Sequence, residues 1–130
     1  MEKVLLSSEA IRKIAEKYSK YTNFFFLGRL FELPIAMEGS LKLKELSYIH
    51  SEVYASGELK HGSIALIDED FPTIMINGGG PLVAKNNSSV EEVKARKGKV
   101  IGIIAKGDEH AHLYNDVLTF DPILPELNPF

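Results

Sequence analysis

Three titratable side chains, Glu38, Lys42 and Glu45, follow one another at spacings of four and three residues. In an α-helix these spacings place an acid, a base and an acid on one narrow stripe. Two carboxylates and an ammonium held together shift one another's pKa values, which suits groups that transfer protons. The same pattern is also that of a plain surface ion pair, which contributes less than about 1 kcal/mol. Spacing alone leaves both interpretations open.

Apolar residues flank this stripe on both sides. Met37, Leu41 and Tyr48 lie on one flank, and Ile35 and Leu46 lie on the other. An ordinary surface helix keeps its apolar residues and its charges on separate faces. Because the charges here lie inside the apolar sector, we expect them to line a cleft or a subunit contact. Small or polar residues are expected on the opposite side of the helix: Ser40, Lys44 and Ser47.

Short strands and helices alternate on either side of this helix. Strands are predicted over residues 24–27, 52–55, 73–76, 100–105 and 117–120. One helix is predicted to begin at Ser7 or Ser8, the charged helix has Pro34 in its first turn, and a short helix over 58–66 is broken near Gly62. A last helix over 82–96 is expected to fray in its first half, where Asn and Ser residues are poor helix formers.

This alternation predicts an α/β fold, a three-layer αβα sandwich around a five-stranded, mainly parallel sheet. The strand order is not contained in the pattern, and a doubly wound, flavodoxin-like order is the default. With 130 residues and 45% hydrophobic content the chain is expected to be a single domain over residues 1–130. The final ten residues carry Pro122, Pro125 and Pro129 where a covering helix is expected, so we predict a fragment that lacks its C-terminal helix and tail.

Composition excludes several classes of function. A net charge of -3 offers no basic field for nucleic acid, and the chain contains no cysteine for a disulfide, a thiolate metal site or a nucleophile. No apolar run reaches membrane-spanning length, so a soluble, cytoplasmic protein is predicted. His110 and His112 lack a third ligand nearby, and the glycines at 78–80 indicate a loop more than a phosphate nest. We therefore predict no metal and no cofactor.

Three segments carry a strong resemblance to a known family: residues 26–29 (FLGR), 34–45 (PIAMEGSLKLKE) and 56–62 (SGELKHG). Together they resemble the sugar-isomerase (SIS) domains, specifically the second SIS domain of the glucosamine-6-phosphate synthases, also called isomerising glutamine:fructose-6-phosphate aminotransferases. The resemblance runs from Phe24 to about Ala105. It departs from the usual family pattern at Leu30, where a glycine is common, and at Ser63, where a proline is common.

The resemblance implies roles for four residues. Glu45 is implied to be the base that moves a proton between C1 and C2 of the open-chain sugar phosphate. Glu38 and Lys42 are implied to shape the charge around it. His61 is implied to assist ring opening in the active site of a neighbouring subunit, so a homodimer is expected. Without the family, His61 is an ordinary solvent-facing or capping histidine with a pKa suited to acid–base work.

The resemblance also implies what the chain lacks. In the family the Ser/Thr-rich phosphate loops belong to the first SIS domain, the glutaminase chemistry to a domain with a catalytic cysteine, and the sugar-carbonyl lysine to a C-terminal tail. The chain is therefore expected to be inactive by itself. Two alternatives remain: a stand-alone SIS module that binds a phosphosugar as a sensor or scaffold, and a related sugar-phosphate isomerase or deglycase.

Overall fold

A computed structural model describes residues 5–122 of the chain. Five strands form one sheet in the order β2-β1-β3-β4-β5, and every neighbouring pair is parallel. The strands are β1 (Asn23–Gly28), β2 (His50–Ala55), β3 (Thr73–Asn77), β4 (Val100–Ala105) and β5 (Asp116–Phe120). The helices are α1 (Ser8–Tyr18), α2 (Glu32–Ser47) and α3 (Val83–Ala95), with 3-10 helices at Leu59–His61, Ser63–Leu66 and Ala111–Leu113.

The side chains of alternate strand residues pack into two separate hydrophobic cores, one on each face of the sheet. On one face Phe24 and Phe26 of β1 pack with residues of α1 and α2. On the other face Phe25 and Leu27 pack with α3 and with the segment around Leu59. Because both faces are covered, β1 is buried almost throughout, as its continuous apolar run predicts.

Helix α1 is fixed to the edge strand β5 by polar contacts at its C-terminal end. The Tyr18 hydroxyl donates to Asp116 Oδ2 at 2.8 Å, and Lys17 Nζ lies 2.6 Å from the same oxygen. Burial and this bond to a carboxylate raise the pKa of the Tyr18 hydroxyl. The contact anchors the first helix across the far edge of the sheet.

The predicted αβα sandwich and its flavodoxin-like strand order are confirmed, with all strand pairs parallel. The short helical segment broken at Gly62 is also confirmed. Strand β2 begins at His50, two residues before the predicted position.

The expected fraying of the helix over residues 82–96 was wrong. Helix α3 runs without a break from Val83 to Ala95. Asn86, Asn87 and Ser89 are buried, and the side chains of Asn86 and Ser89 hydrogen-bond to strand and loop residues. Tertiary contacts therefore override the weak helix propensity of these residues.

The prediction that the chain lacks its C-terminal helix and tail concerns residues 123–130, which lie outside the described residues. Within residues 5–122, no helix combines the length and the apolar character that crossing a membrane requires.

Candidate functional site

Helix α2 lies close to the sheet because its inner face is made of small residues. Ala36 is fully buried, and a Cβ atom at Gly39 would stand 3.0 Å from the Phe26 ring. Next to them the Ser40 and Ser51 hydroxyls lie 2.7 Å apart, and Ser51 Oγ also donates to the Ser40 carbonyl at 3.1 Å. These contacts fix the rotation of α2 on β1 and β2, and so fix which residues point outward.

The face of α2 that meets the sheet differs in part from the sequence prediction. Ser40 was expected on the side away from the apolar sector, yet it is 1% exposed against β2. Leu46 and Tyr48, expected to flank a stripe that lines a cleft or a subunit contact, are 82% and 93% exposed. Short side chains allow close helix–strand packing, and this outweighs the larger burial that the bulky residues would provide.

The three residues of the stripe do lie together on one face of α2, as their spacing predicts. Lys42 Nζ lies 2.8 Å from Glu45 Oε2, within hydrogen-bond distance, and 3.6 Å from Glu38 Oε1. The hydrogen bond that Lys42 donates to Glu45 and the negative charge of both carboxylates raise the pKa of the Lys42 ammonium. The lysine is thus held as a cation between two acids.

The cleft expected around the stripe is not formed by residues 5–122 of one chain. The side chains of Glu38, Lys42 and Glu45 are 61%, 54% and 50% exposed. Met37 and Leu41 beside them are exposed as well. The apolar residues beside the stripe therefore form a solvent-exposed rim. A dimer contact at this face stays a prediction.

His61 ends the first 3-10 helix after β2, and its side chain points to solvent. Its Nδ1 lies 3.1 Å from Glu58 Oε2, and the imidazole is 70% exposed. Within the described part of the chain, His61 makes no hydrogen bond or ion pair with the stripe. One chain alone therefore does not bring His61 to Glu45.

Comparison with known proteins identifies the family. The model of the SIS domain matches residues 17–118, which covers strands β1 to β4 in full and the first three residues of β5. The chain belongs to the SIS domain family.

The relatives of this SIS domain are much longer proteins. It is 48% identical over 130 residues to the glutamine–fructose-6-phosphate aminotransferase [isomerizing] of Thermus thermophilus. The aligned region covers 99% of this chain and 22% of the relative. It is 53% identical over 109 residues to the enzyme of the same name from Aquifex aeolicus, covering 84% of the chain and 18% of the relative. The chain thus spans about a fifth of the curated relatives it matches.

Solved structures give the same result. The C-terminal domain of glucosamine-fructose-6-phosphate aminotransferase from Francisella tularensis superposes with a TM-score of 0.85 at 42% identity, covering 90% of this chain and 33% of that one. A putative tagatose-6-phosphate ketose/aldose isomerase from Clostridium novyi superposes with a TM-score of 0.77 at 19% identity, covering 90% and 31%. The second likeness concerns the fold alone.

The SIS domain carries a second group of polar side chains that was not predicted as a site. Arg29 follows β1, Ser56 follows β2, and Asn77 ends β3, so all three lie at the carboxyl edge of the sheet. Ligands of open α/β sheets bind at this edge. The signal available in the sequence was a polar residue within two positions after each of three predicted strands.

Glu32, the first residue of α2, connects the segment after β1 with the segment after β3. Its Oε1 accepts a hydrogen bond from the backbone N–H of Gly78 at 3.3 Å. Burial raises the pKa of the Glu32 carboxyl, and the backbone hydrogen bonds oppose this shift only in part. Within residues 5–122, no group of three or more His, Cys, Asp or Glu side chains is arranged to hold a metal ion.

Proposed function

We propose that this SIS domain carries out the sugar-phosphate isomerase step of a glutamine–fructose-6-phosphate aminotransferase, which makes glucosamine 6-phosphate from fructose 6-phosphate and glutamine. The observation that carries the proposal is the ion-paired array Glu38–Lys42–Glu45 on one face of α2. The 48% identity to the Thermus thermophilus enzyme supports the same choice of reaction.

In this proposal Glu45 is the base that moves a proton between C1 and C2 of the open-chain sugar. A carboxylate can remove the proton from one carbon and return it to the next, because both carbons lie within reach of one flexible side chain. The Lys42 ammonium lies 2.8 Å from Glu45 Oε2 and places a positive charge beside this base. Glu45 and, to a smaller extent, Glu38 raise the pKa of Lys42, so the lysine is held as a cation between the two acids.

The exposure of the array is consistent with a site completed by other polypeptide. Proton transfer from carbon is faster where water is excluded and the charges act in a low dielectric. Apolar Met37, Leu41 and Leu46 form a rim around the charged groups and stand exposed in the single chain. We propose that a second copy of the chain, together with domains like those of the longer relatives, covers this rim in a cytoplasmic homodimer.

His61 is proposed to act in the site of the neighbouring subunit, where it assists ring opening. Its exposed position at the end of a 3-10 helix suits a side chain that reaches across a contact. Glu58, at 3.1 Å from Nδ1, would orient the imidazole and leave Nε2 for the sugar ring oxygen.

A domain exchange tests the proposal. The Thermus thermophilus relative, with its matching 130-residue segment replaced by this chain, should convert fructose 6-phosphate and glutamine into glucosamine 6-phosphate. The fold of the exchanged protein is checked by circular dichroism and its assembly by sedimentation. A folded, glutamine-hydrolysing exchange protein that forms no glucosamine 6-phosphate would contradict the proposal.

A further inference from the structure

We propose that the SIS domain has a second site, away from the α2 array, that binds the phosphate group of a small metabolite. The site is a cavity of about 240 Å³, here called the Arg29 pocket, between the loop after β2 and helix α3. Its lining consists of Arg29, Ser56, Gly57, Lys60, Lys85, Ser88, Ser89 and Glu92. The proposal does not depend on the isomerase function.

The charge of the Arg29 pocket favours a dianion. Three of the lining side chains, Arg29, Lys60 and Lys85, are cationic, and Glu92 alone among them is acidic. Glu92 is already paired, because Lys60 Nζ lies 2.7 Å from its Oε1. Within residues 5–122, Lys85 has no carboxylate partner. Arg29 and Lys85 are therefore the two cations available to a ligand.

Arg29 is held in place by a buried polar network and not by an acid. Its Nε donates to Ser56 Oγ at 3.1 Å and to Asn86 Oδ1 at 3.3 Å. Ser56 Oγ donates in turn to Asn86 Oδ1 at 2.8 Å, and Asn86 Nδ2 donates to Asn77 Oδ1 at 3.1 Å. Ser56 and Asn86 are 1% and 2% exposed. The network thus orients the guanidinium before any ligand arrives, which lowers the entropic cost of binding.

The network uses only the Nε of Arg29 and leaves the two terminal nitrogens to the pocket. These nitrogens lie against Gly57, where an added Cβ would stand 3.1 Å from Nη2 and 3.3 Å from Nη1. A guanidinium with both terminal nitrogens accessible is the group best suited to paired hydrogen bonds with phosphate oxygens. Glycine at position 57 is what keeps this side of Arg29 open.

Within one chain, the pocket and the α2 array lie on opposite faces of the sheet. Helix α3 and the segment around Leu59 cover one face of the sheet, and α2 covers the other. A phosphate group bound between Lys85 and Arg29 would therefore stand apart from Glu45 across the sheet. A ligand held there occupies an effector or anchoring site and not the site of proton transfer.

The test is an NMR titration of the isotope-labelled 130-residue chain with inorganic phosphate, fructose 6-phosphate and unphosphorylated fructose, at constant ionic strength. Both phosphate compounds should give saturable shifts centred on the amides of Arg29, Gly57, Lys85 and Ser88, and fructose should give none. Equal affinities for inorganic phosphate and fructose 6-phosphate would show that the pocket recognises the phosphate group alone. Tighter binding of fructose 6-phosphate would show that the pocket recognises the sugar as well.

Lys85→Met supplies the decisive variant, because Lys85 is exposed and its loss leaves the buried network intact. It should weaken phosphate binding at least fivefold. Lys13→Met, which removes an exposed charge from α1, should leave the affinity unchanged. Equal weakening by both variants, shifts centred on α2, the same shifts with fructose, or no saturable shifts at all would each overturn the proposal.

Discussion

At the scale of single residues, the position of Lys42 between two acids is the central feature of the molecule. The hydrogen bond to Glu45 is shorter, at 2.8 Å, than the 3.6 Å separation from Glu38. Since both carboxylates favour the ammonium form, the ion pairs stabilise the fold at pH values below about 10, the usual range of a lysine pKa. That contribution is lost as the pH rises through the raised pKa of Lys42.

Glu45→Gln should therefore lower the pKa of Lys42 toward its usual value, because it removes a hydrogen-bonded carboxylate. Glu38→Gln should lower it less, because the Glu38 carboxylate is farther away. The pKa can be followed by NMR of the lysine side chain, with Lys13 as the internal control. A Lys42 pKa that responds equally to both substitutions would contradict the geometry of the array.

Residue spacing predicted the array but could not predict the Arg29 network. Glu38, Lys42 and Glu45 lie within one helix, so helical periodicity alone brings them together. Arg29 meets Asn86 across a separation of 57 residues, and that contact exists only after β1, β2 and α3 have packed. The exposure of Glu45 was also missed, since the sequence does not reveal which face of α2 meets the sheet.

At the scale of elements, the packing of α2 against β2 decides where the array points. The buried Ser40–Ser51 pair sits at the centre of this contact. The sequence of strands and helices along the chain and the break at Gly62 followed from apolar runs and from glycine and proline positions. The strand order in the sheet did not, and it was predicted only as the default of doubly wound folds. The continuity of α3 did not, because buried hydrogen bonds made by Asn86 and Ser89 outweigh local propensity.

Ser51→Ala should destabilise the domain by about 1–3 kcal/mol, because it leaves the Ser40 hydroxyl buried without its partner on β2. Urea denaturation measures the change. Ser19→Ala, which removes an exposed hydroxyl bonded to the Glu16 carbonyl, is the matched control and should cost less than about 1 kcal/mol. Equal losses in the two variants would show that the serine pair does not fix α2.

At the scale of the whole molecule, the exposed apolar rim of α2 predicts self-association. Met37, Leu41 and Leu46 are exposed around a charged array, an arrangement typical of interaction surfaces. Sedimentation of the purified chain at micromolar concentration should show a dimer. Leu41→Asp should shift it toward monomer, whereas Leu6→Asp on the N-terminal side of α1 should not. A monomer for the unmodified chain would contradict the proposed interface.

The purified chain should not turn over fructose 6-phosphate by itself. It spans 22% of the length of its Thermus thermophilus relative, and its array is open to water. A coupled assay for glucosamine 6-phosphate, with the exchange protein as the positive control, checks this. Measurable turnover by the 130 residues alone would show that the array needs no further domain.

The most direct test of the central claim is the rate of glucosamine 6-phosphate formation by the exchange protein that carries Glu45→Gln. Loss of the base should reduce kcat by roughly a hundredfold to ten-thousandfold, with little change in KM. Glu91→Gln, which neutralises an exposed carboxylate on α3, should leave kcat unchanged, and His61→Ala should show a loss of the same order as Glu45→Gln. If Glu45→Gln proceeds at the rate of the unmodified exchange protein, Glu45 is not the base.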